Sequence, residues 1–283
     1  MRYIIVIAVA LLISTEAFAF SKIVKEESFH SSTVKNIAAN SFGGNYTISK
    51  YNGDSIIVRV SLECKDFAAY NAFMMKYMVT LTNTSGSLTL RTDKIPSSAG
   101  ILIYELFIPN DLPVDISSEK SNVSVKDIKV NLKLNVADGV LFTDNLSGSL
   151  TVNTEKMDMD IKAGVLSAAV TAKNSAINYS SKGGKLTLNN TSGNNKITLL
   201  AFTEVDVQTN SGDIQVLLPK TIDCNLHVAT VKKPIMLNME EVALKGNITS
   251  NLLKASMGKG GGEIKLATQS GDLSVSNVAL LGK

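Results

Sequence analysis

A short polar turn followed at once by a strand of alternating polar and apolar residues recurs along this chain. It reads Thr-Ser-Gly-Ser-Leu-Thr-Leu over residues 84–90, Leu-Ser-Gly-Ser-Leu-Thr-Val over 146–152, Asn-Ser-Gly-Asp-Ile-Gln-Val over 210–216 and Gln-Ser-Gly-Asp-Leu-Ser-Val over 269–275. A fifth copy, Thr191-Ser192-Gly193, leads into Lys196-Ile197-Thr198-Leu199. A unit of one turn and one strand cannot bury its own apolar edge. Neighbours must stack on it, so the repetition predicts a stacked β architecture.

From about residue 123 onward, apolar residues fall two apart in short runs: Val123/Val125, Leu132/Leu134/Val136, Leu150/Val152, Met157/Met159/Ile161, Leu186/Leu188, Ile197/Leu199, Val205/Val207, Ile214/Val216, Ile264/Leu266 and Leu273/Val275. Ser, Thr, Lys, Asp and Gln stand between them, and a period of two with one apolar face predicts half-buried strands. The turn glycines are Gly86, Gly148, Gly193, Gly212 and Gly271. The intervals between them approach three, two, one and three units of roughly 20 residues, the second fitting least well. Sandwiches and barrels use similar strand spacing, but recurrence at one phase favours an all-β solenoid (β-helix-like) in which each coil builds the same corner. Gly supplies the positive φ that such a corner needs, while Asn, Asp and Ser bond back to the backbone.

Residues 20–118 keep a looser rhythm and predict an N-terminal β-rich segment, with strands around residues 46–48, 55–62, 78–81, 88–90 and 101–108. Within it, residues 64–78 break the pattern. Phe67, Tyr70, Phe73, Met74 and Tyr77 fall at helical spacing, which predicts a short amphipathic helix packed on the sheet with these five on one face. This segment is expected to cap one end of a solenoid formed by residues 119–283, because an open last coil offers unpaired strand amides.

Residues 1–19 have the form of a secretory signal peptide: Arg2, an apolar run over residues 3–13, and Ala17-Phe18-Ala19 before Phe20. The run is too short to span a bilayer, so the expectation is an exported protein of the periplasm or cell surface with no transmembrane segment after cleavage. A formal charge of +3 with scattered basic residues gives no reason to expect nucleic acid. Cys64 and Cys224 are the only cysteines; one disulfide and two separately buried thiols are both compatible with this spacing.

Several longer stretches carry a resemblance: Ser41-Phe42-Gly43-Gly44-Asn45-Tyr46-Thr47-Ile48, then Gly53-Asp54-Ser55-Ile56-Ile57-Val58, then Tyr104-Glu105-Leu106-Phe107-Ile108-Pro109, then the Ser-Gly-Asp-Ile/Leu repeats. The chain resembles the bacterial DUF4097 family of β-strand-repeat proteins, related to the head-GIN proteins that carry an adhesin label. The resemblance implies a β-solenoid of the cell envelope. Its motifs are structural, with no catalytic signature. The chain departs from the family pattern in the helical stretch 64–78 and in repeats such as Asn153-Thr154-Glu155-Lys156, where the small turn with Gly is missing.

Outward carboxylates are the residues closest to a catalytic pattern. Asp158 and Asp160 share one face about 6.5 Å apart by strand rise, and Glu204 and Asp206 repeat the arrangement. Such pairs serve glycosidases or cations, yet solvated alternation produces the same residues far more often. Residues 258–263, Gly-Lys-Gly-Gly-Gly-Glu, lack the spacing of a phosphate loop and read as a turn. Asp213 and Asp272 follow turn glycines without the tandem repeats of calcium-binding β-rolls. His30 and His227 are the only histidines; Cys224 and His227 lack two further ligands at metal-binding spacing. The expectation is a non-catalytic exported scaffold without catalytic, metal or cofactor residues. It meets an unidentified envelope or surface partner or another copy of itself. The alternative is a carbohydrate-active enzyme using the four outward carboxylates.

Overall fold

The computed structural model describes residues 20–109, 111–239 and 243–278. The expected signal peptide, residues 1–19, lies outside the described residues. In chain order the strands are β1 (Phe20–His30), β2 (Asn36–Lys50), β3 (Ser55–Cys64), β4 (Val79–Thr84), β5 (Ser87–Thr92), β6 (Ile101–Ile108), β7 (Pro113–Lys126), β8 (Lys129–Thr154), β9 (Lys156–Asn174), β10 (Ile177–Ser192), β11 (Asn195–Leu199), β12 (Thr203–Thr209), β13 (Ile214–Pro219), β14 (Cys224–Thr230), β15 (Ile235–Asn238), β16 (Leu244–Ile248), β17 (Leu252–Met257), β18 (Gly262–Thr268) and β19 (Leu273–Val278). One α-helix, α1 (Phe67–Lys76), interrupts them. The all-β solenoid expected from the repeats is the observed fold.

From β7 to β11 most residues pair in parallel with the one 18 places on, Val114 with Leu132, Leu141 with Met159 and Tyr179 with Ile197, and from there to β12 and β13 with the one 19 on, as Leu186 with Val205 and Ile197 with Val216. One coil is therefore 18 or 19 residues, a little shorter than the unit of roughly 20 read from the glycines. It holds two strand segments and two corners. Segments 113–118, 131–136, 148–154, 166–172, 184–190 and 203–209 stack as one sheet, sheet A; segments 120–126, 138–144, 156–162, 177–181, 195–199 and 214–219 stack as the other, sheet B. Alternation turns every second side chain into the thin space between the sheets. Leu90, Ala39, Ile116, Leu134, Val152, Val170, Leu188, Val207, Leu266 and Val228 form one buried column through sheet A.

The repeated Ser-Gly phrase builds two corners rather than one. Gly193, Gly212 and Gly271 stack on each other where sheet A passes to sheet B, whereas Gly148 lies over Val130, and Gly184 over Leu166, where sheet B returns to sheet A. The interval from Gly148 to Gly193 is two and a half coils, which is why it fitted worst. Close approach is what requires glycine here. A Cβ on Gly184, at φ +110°, would stand 2.0 Å from the Leu166 carbonyl oxygen. At the first corner a threonine completes the turn: the Gly212 N–H donates to Thr209 Oγ1 at 2.9 Å, and the Gly271 N–H to Thr268 Oγ1 at 3.0 Å. Both hydroxyls lie in the buried ladder at the strand end, so each satisfies a corner amide that water cannot reach.

The two ends are not stacked in sequence order. At the N-terminal end β5 and β6 form a coil outside β2, which they pair with in parallel, while β2 pairs with β7 on its other side. Antiparallel strands then close the layer: β4 on β5, β3 on β6, β1 on β3. At the C-terminal end β18 and β19 lie between β12/β13 on one side and β14/β15 on the other. β17 adds antiparallel to β14, and β16 to β17. The last described coil of the sequence is thus one layer inside the stack, and the open C-terminal coil expected of a sequential solenoid is absent among the described residues. Residues 118 and 119 lie within β7, which pairs with β2 and β8 alike.

α1 starts at an Asp66 cap whose carboxylate accepts the Ala69 N–H at 2.8 Å. Tyr70 and Phe73 turn inward against β1 and β3, the Tyr70 hydroxyl donating to the Ile23 carbonyl. Phe67 and Met74 do not share their face. They are 54% and 45% exposed, so the five-residue stripe read from the sequence is split between two sides of the helix.

Candidate functional site

The outward surface of sheet A is a set of polar ladders. Asn153 donates to Asn135 at 3.0 Å and Ser149 to Asn131 at 2.8 Å, each partner 18 residues away. One ladder continues as Asn135, Asn153, Thr171, Asn189 and Gln208, then drops to Ala267 and Ala229 on β18 and β14. Two methyl groups in adjacent rungs leave a floor with no side chain standing on it. The result is a continuous groove: a hollow of about 230 Å³ bordered by Asp206, Gln208, His227, Leu252, Lys254 and Lys265, joined through Gln208, Ala229 and Ala267 to one of about 390 Å³ that runs to the Thr171, Asn189 and Asn210 corner.

One rung of the groove carries most of its charge. Asp206, Lys265, His227 and Lys254 stand opposite one another on β12, β18, β14 and β17, at the spacing of adjacent strands, roughly 4.8 Å. Lys265 pairs with Glu263 on its own strand. That bond, the lysine charge and the nearby His227 hold the Glu263 carboxyl below its usual range; Glu263 and, behind it, Asp206 and Glu204 push Lys265 up. Lys185 pairs with Glu204 at 3.2 Å along the neighbouring ladder. The groove is a mixed-charge, amide-lined surface suited to many weak polar contacts. Among the described residues no group of His, Cys, Asp and Glu could hold a metal.

A family model described as Toastrack DUF4097 matches residues 30–276. The chain belongs to that family. Similar solved structures are loose matches: a candidate cell adhesion protein from Clostridium sporogenes (15% identity, covering 91% of this chain and 100% of that one, TM-score 0.27) and a candidate adhesin from Bacteroides fragilis (11%, 91% and 97%, 0.34). A candidate lipid binding protein from Parabacteroides distasonis is similar at 9% identity, covering 90% and 96%, with a TM-score of 0.29. Among curated proteins none matches.

On the Toastrack frame the four carboxylates weighed as a glycosidase set do not meet. Asp158 and Asp160 project from sheet B, Glu204 and Asp206 from sheet A, so the core separates the two pairs. Each is engaged: Asp158 accepts the Ala176 N–H at 3.2 Å, Asp160 lies 4.0 Å from Lys162, Glu204 bonds Lys185, and Asp206 accepts Gln208 at 3.3 Å. Cys64 and Cys224 are buried free thiols on β3 and β14 at opposite ends of the stack. Burial raises both thiol pKa values, that of Cys224 to about 11. Cys224 points inward and His227, three residues on, outward, so they cannot share a ligand. His30 is exposed at the end of β1, bonded to Ser32. Residues 258–263 form the turn into β18, held by the Lys259 N–H on Asp223 Oδ1 at 2.9 Å, and the Asp272 N–H donates to Asp213 at 2.8 Å as a corner bond.

Sequence reading missed the groove because its floor joins β14 to β18 through a coil that is out of order. The one available signal was Ala at two outward positions where the ladder otherwise carries Thr, Asn or Gln.

Proposed function

We propose that this protein is an exported, non-catalytic contact scaffold of the cell envelope, using the groove of sheet A to meet an extended polar partner surface. The observation that carries the reading is the hollow over Ala267 and Ala229. It interrupts an otherwise continuous polar ladder and is rimmed by Asp206, His227, Lys254 and Lys265. A row of amide and charged groups over a small-residue floor gives broad contact without a deep pocket, and such contact gains strength by repetition along the sheet. Each of the four carboxylates is taken up by a neighbouring lysine, amide or backbone N–H, and the two pairs lie on opposite sheets, which supports a binding role over hydrolysis.

Filling the groove with Ala229→Gln and Ala267→Gln tests this. The reading expects at least a tenfold loss of binding to whole cells or envelope fractions with the melting temperature unchanged. Undiminished binding would remove the groove from the interface. Release of reducing sugar from envelope polysaccharide, abolished by Asp158→Asn with Asp160→Asn or by Glu204→Gln with Asp206→Asn, would favour the enzymatic alternative instead.

A further inference from the structure

The outer face of α1 is apolar, and among the described residues little beyond Phe20 and Lys22 lies against it. Apart from Asn71 and Lys76, residues 67–76 are Phe, Ala, Tyr and Met; a helix of that composition is ordinarily buried all round. Here only Tyr70 and Phe73 are. Phe67, Met74 and Met75 fall at i, i+7 and i+8 of the helix, and Met78 follows just past its extended C-cap Tyr77, with Met75 84% and Met78 67% exposed and Ile23 of β1 close by at 47%. The patch is held in place. The Met78 N–H donates to Asp93 at 2.9 Å, and the Phe20 ring packs at 5.8 Å on Phe67 and 5.9 Å on Tyr70. Lys22 Nζ sits 4.8 Å from the Tyr70 ring centre and 5.4 Å from that of Phe67, while Lys65 and Lys76 flank the helix exposed.

We infer that this end of the solenoid docks on a lipid bilayer, α1 lying in the interface with Phe67, Met74, Met75 and Met78 in the acyl boundary and Lys22, Lys65 and Lys76 at the headgroups. Two observations select lipid over other occupants. Lys22, Lys65 and Lys76 border the apolar stripe, so their charges complement anionic headgroups while their stems lie along apolar surface. The chain also enters the described fold at Phe20, inside this patch, and its apolar run ends at Ile13. The stretch between them spans at most about 25 Å, so α1 is the part of the fold that forms beside the membrane at which that run would be cleaved. The sheet A groove, on β12, β18 and β14, lies at the other end of the stack.

The test uses the chain from Phe20 onward, which carries every described residue, with folding verified by β-type circular dichroism. It should co-float with vesicles of three parts zwitterionic to one part anionic phospholipid. Met75→Glu with Met78→Glu should cut the bound fraction at least tenfold without lowering the melting temperature, while Val165→Glu, at an exposed corner elsewhere, should leave it unchanged. Absence of flotation, or flotation indifferent to the Met75/Met78 substitutions, would overturn the inference. So would a wild-type dimer that the double variant breaks, with no vesicle binding, because a second copy would then be what covers α1. Cell binding through the groove is scored separately with the Ala229 and Ala267 variants, so failure of either idea leaves the other standing.

Discussion

The central coils, residues 113–219, and the two ends are built from the same kind of strand but held by different rules. In the centre each segment pairs with the segment one coil before or after it in sequence, so every interface closes a short loop. At the ends the partners are far apart in the chain: Asn45 on β2 meets Asn122 on β7, and Val205 on β12 meets Ile264 on β18. Closing a longer loop costs only slightly more entropy, since the cost grows with the logarithm of its length. What it provides is an end whose outermost layer is tied to the interior by a strand threaded beneath it, with antiparallel strands and α1 covering much of what remains. A stack that simply stopped would present a full coil of unpaired amides. The central coils gain stability by repetition and the ends by interlocking.

The largest effect should come from removing the interlock. Deleting residues 262–278 takes out the layer between β12/β13 and β14/β15. Hydrogen exchange should show residues 224–238 and 244–257 losing all protection, and the melting temperature should fall by on the order of 10 °C or more. If the chain melted as before, the threaded layer would be dispensable and the contrast would fail.

Next comes a pair of glycines. Gly184→Ala in the centre puts a Cβ 2.0 Å from a backbone carbonyl at φ +110° and should cost about 3 kcal/mol or more in denaturant unfolding. Gly261→Ala in the turn before β18, at φ +139° with its nearest atom 3.7 Å away, carries backbone strain alone and should cost about 1–2 kcal/mol. Equal losses would mean that the coil spacing relaxes.

Alkali should distinguish the ends. Burial raises Cys224 from 9.0 to about 11. A group raised in the fold contributes stability that is complete below its unfolded pKa and lost as pH climbs through the folded value, so the C-terminal end should weaken between about pH 9 and 11. In the N-terminal end Tyr104 is stacked on Tyr46 at 4.4 Å, its hydroxyl hydrogen-bonded to that of Thr92, and burial lifts it from 10.0 to about 12. Tyr46 is raised by the same cause, so most of this end should hold until about pH 10 to 12. Burial raises the Cys64 thiol of the N-terminal end too, so tyrosine absorbance and Cys224 reactivity followed together in a Cys64→Ala chain through a pH titration separate the two; a single transition would remove the distinction.

The smallest effect should be on the surface ladder. Asn153→Ala removes an exposed rung bond and should change stability by no more than about 0.5 kcal/mol, measured by thermal melting. A larger loss would make the outward ladders part of what holds the coils.

Much of the fold was legible. The paired spacing of Leu132/Leu134/Val136 or Ile214/Val216 marked the inward face correctly, because alternation is a local property of strand geometry. The glycine intervals misled in two places: Gly148 serves the other corner, and Gly271 lies one layer from Gly212 although 59 residues separate Asp213 from its bonded partner Asp272. α1 was located but its buried side was not, because helical spacing gives a face and the sheet decides which face is covered. The groove was not legible at all, since Ala229 and Ala267 become neighbours only through the threaded coil.

The sequence by itself determined the strands, the inward and outward alternation and the need to stack, because these follow from backbone geometry and apolar periodicity over short stretches of chain. Only the tertiary structure decided the order of the coils, the two kinds of corner, the separation of the carboxylate pairs onto opposite sheets and the exposure of α1. Those depend on pairings between distant parts of the chain, such as β14 with β18 and β2 with β7, and strands with the same alternation accept many partners. The choice among them is made by how the ends of the stack are closed.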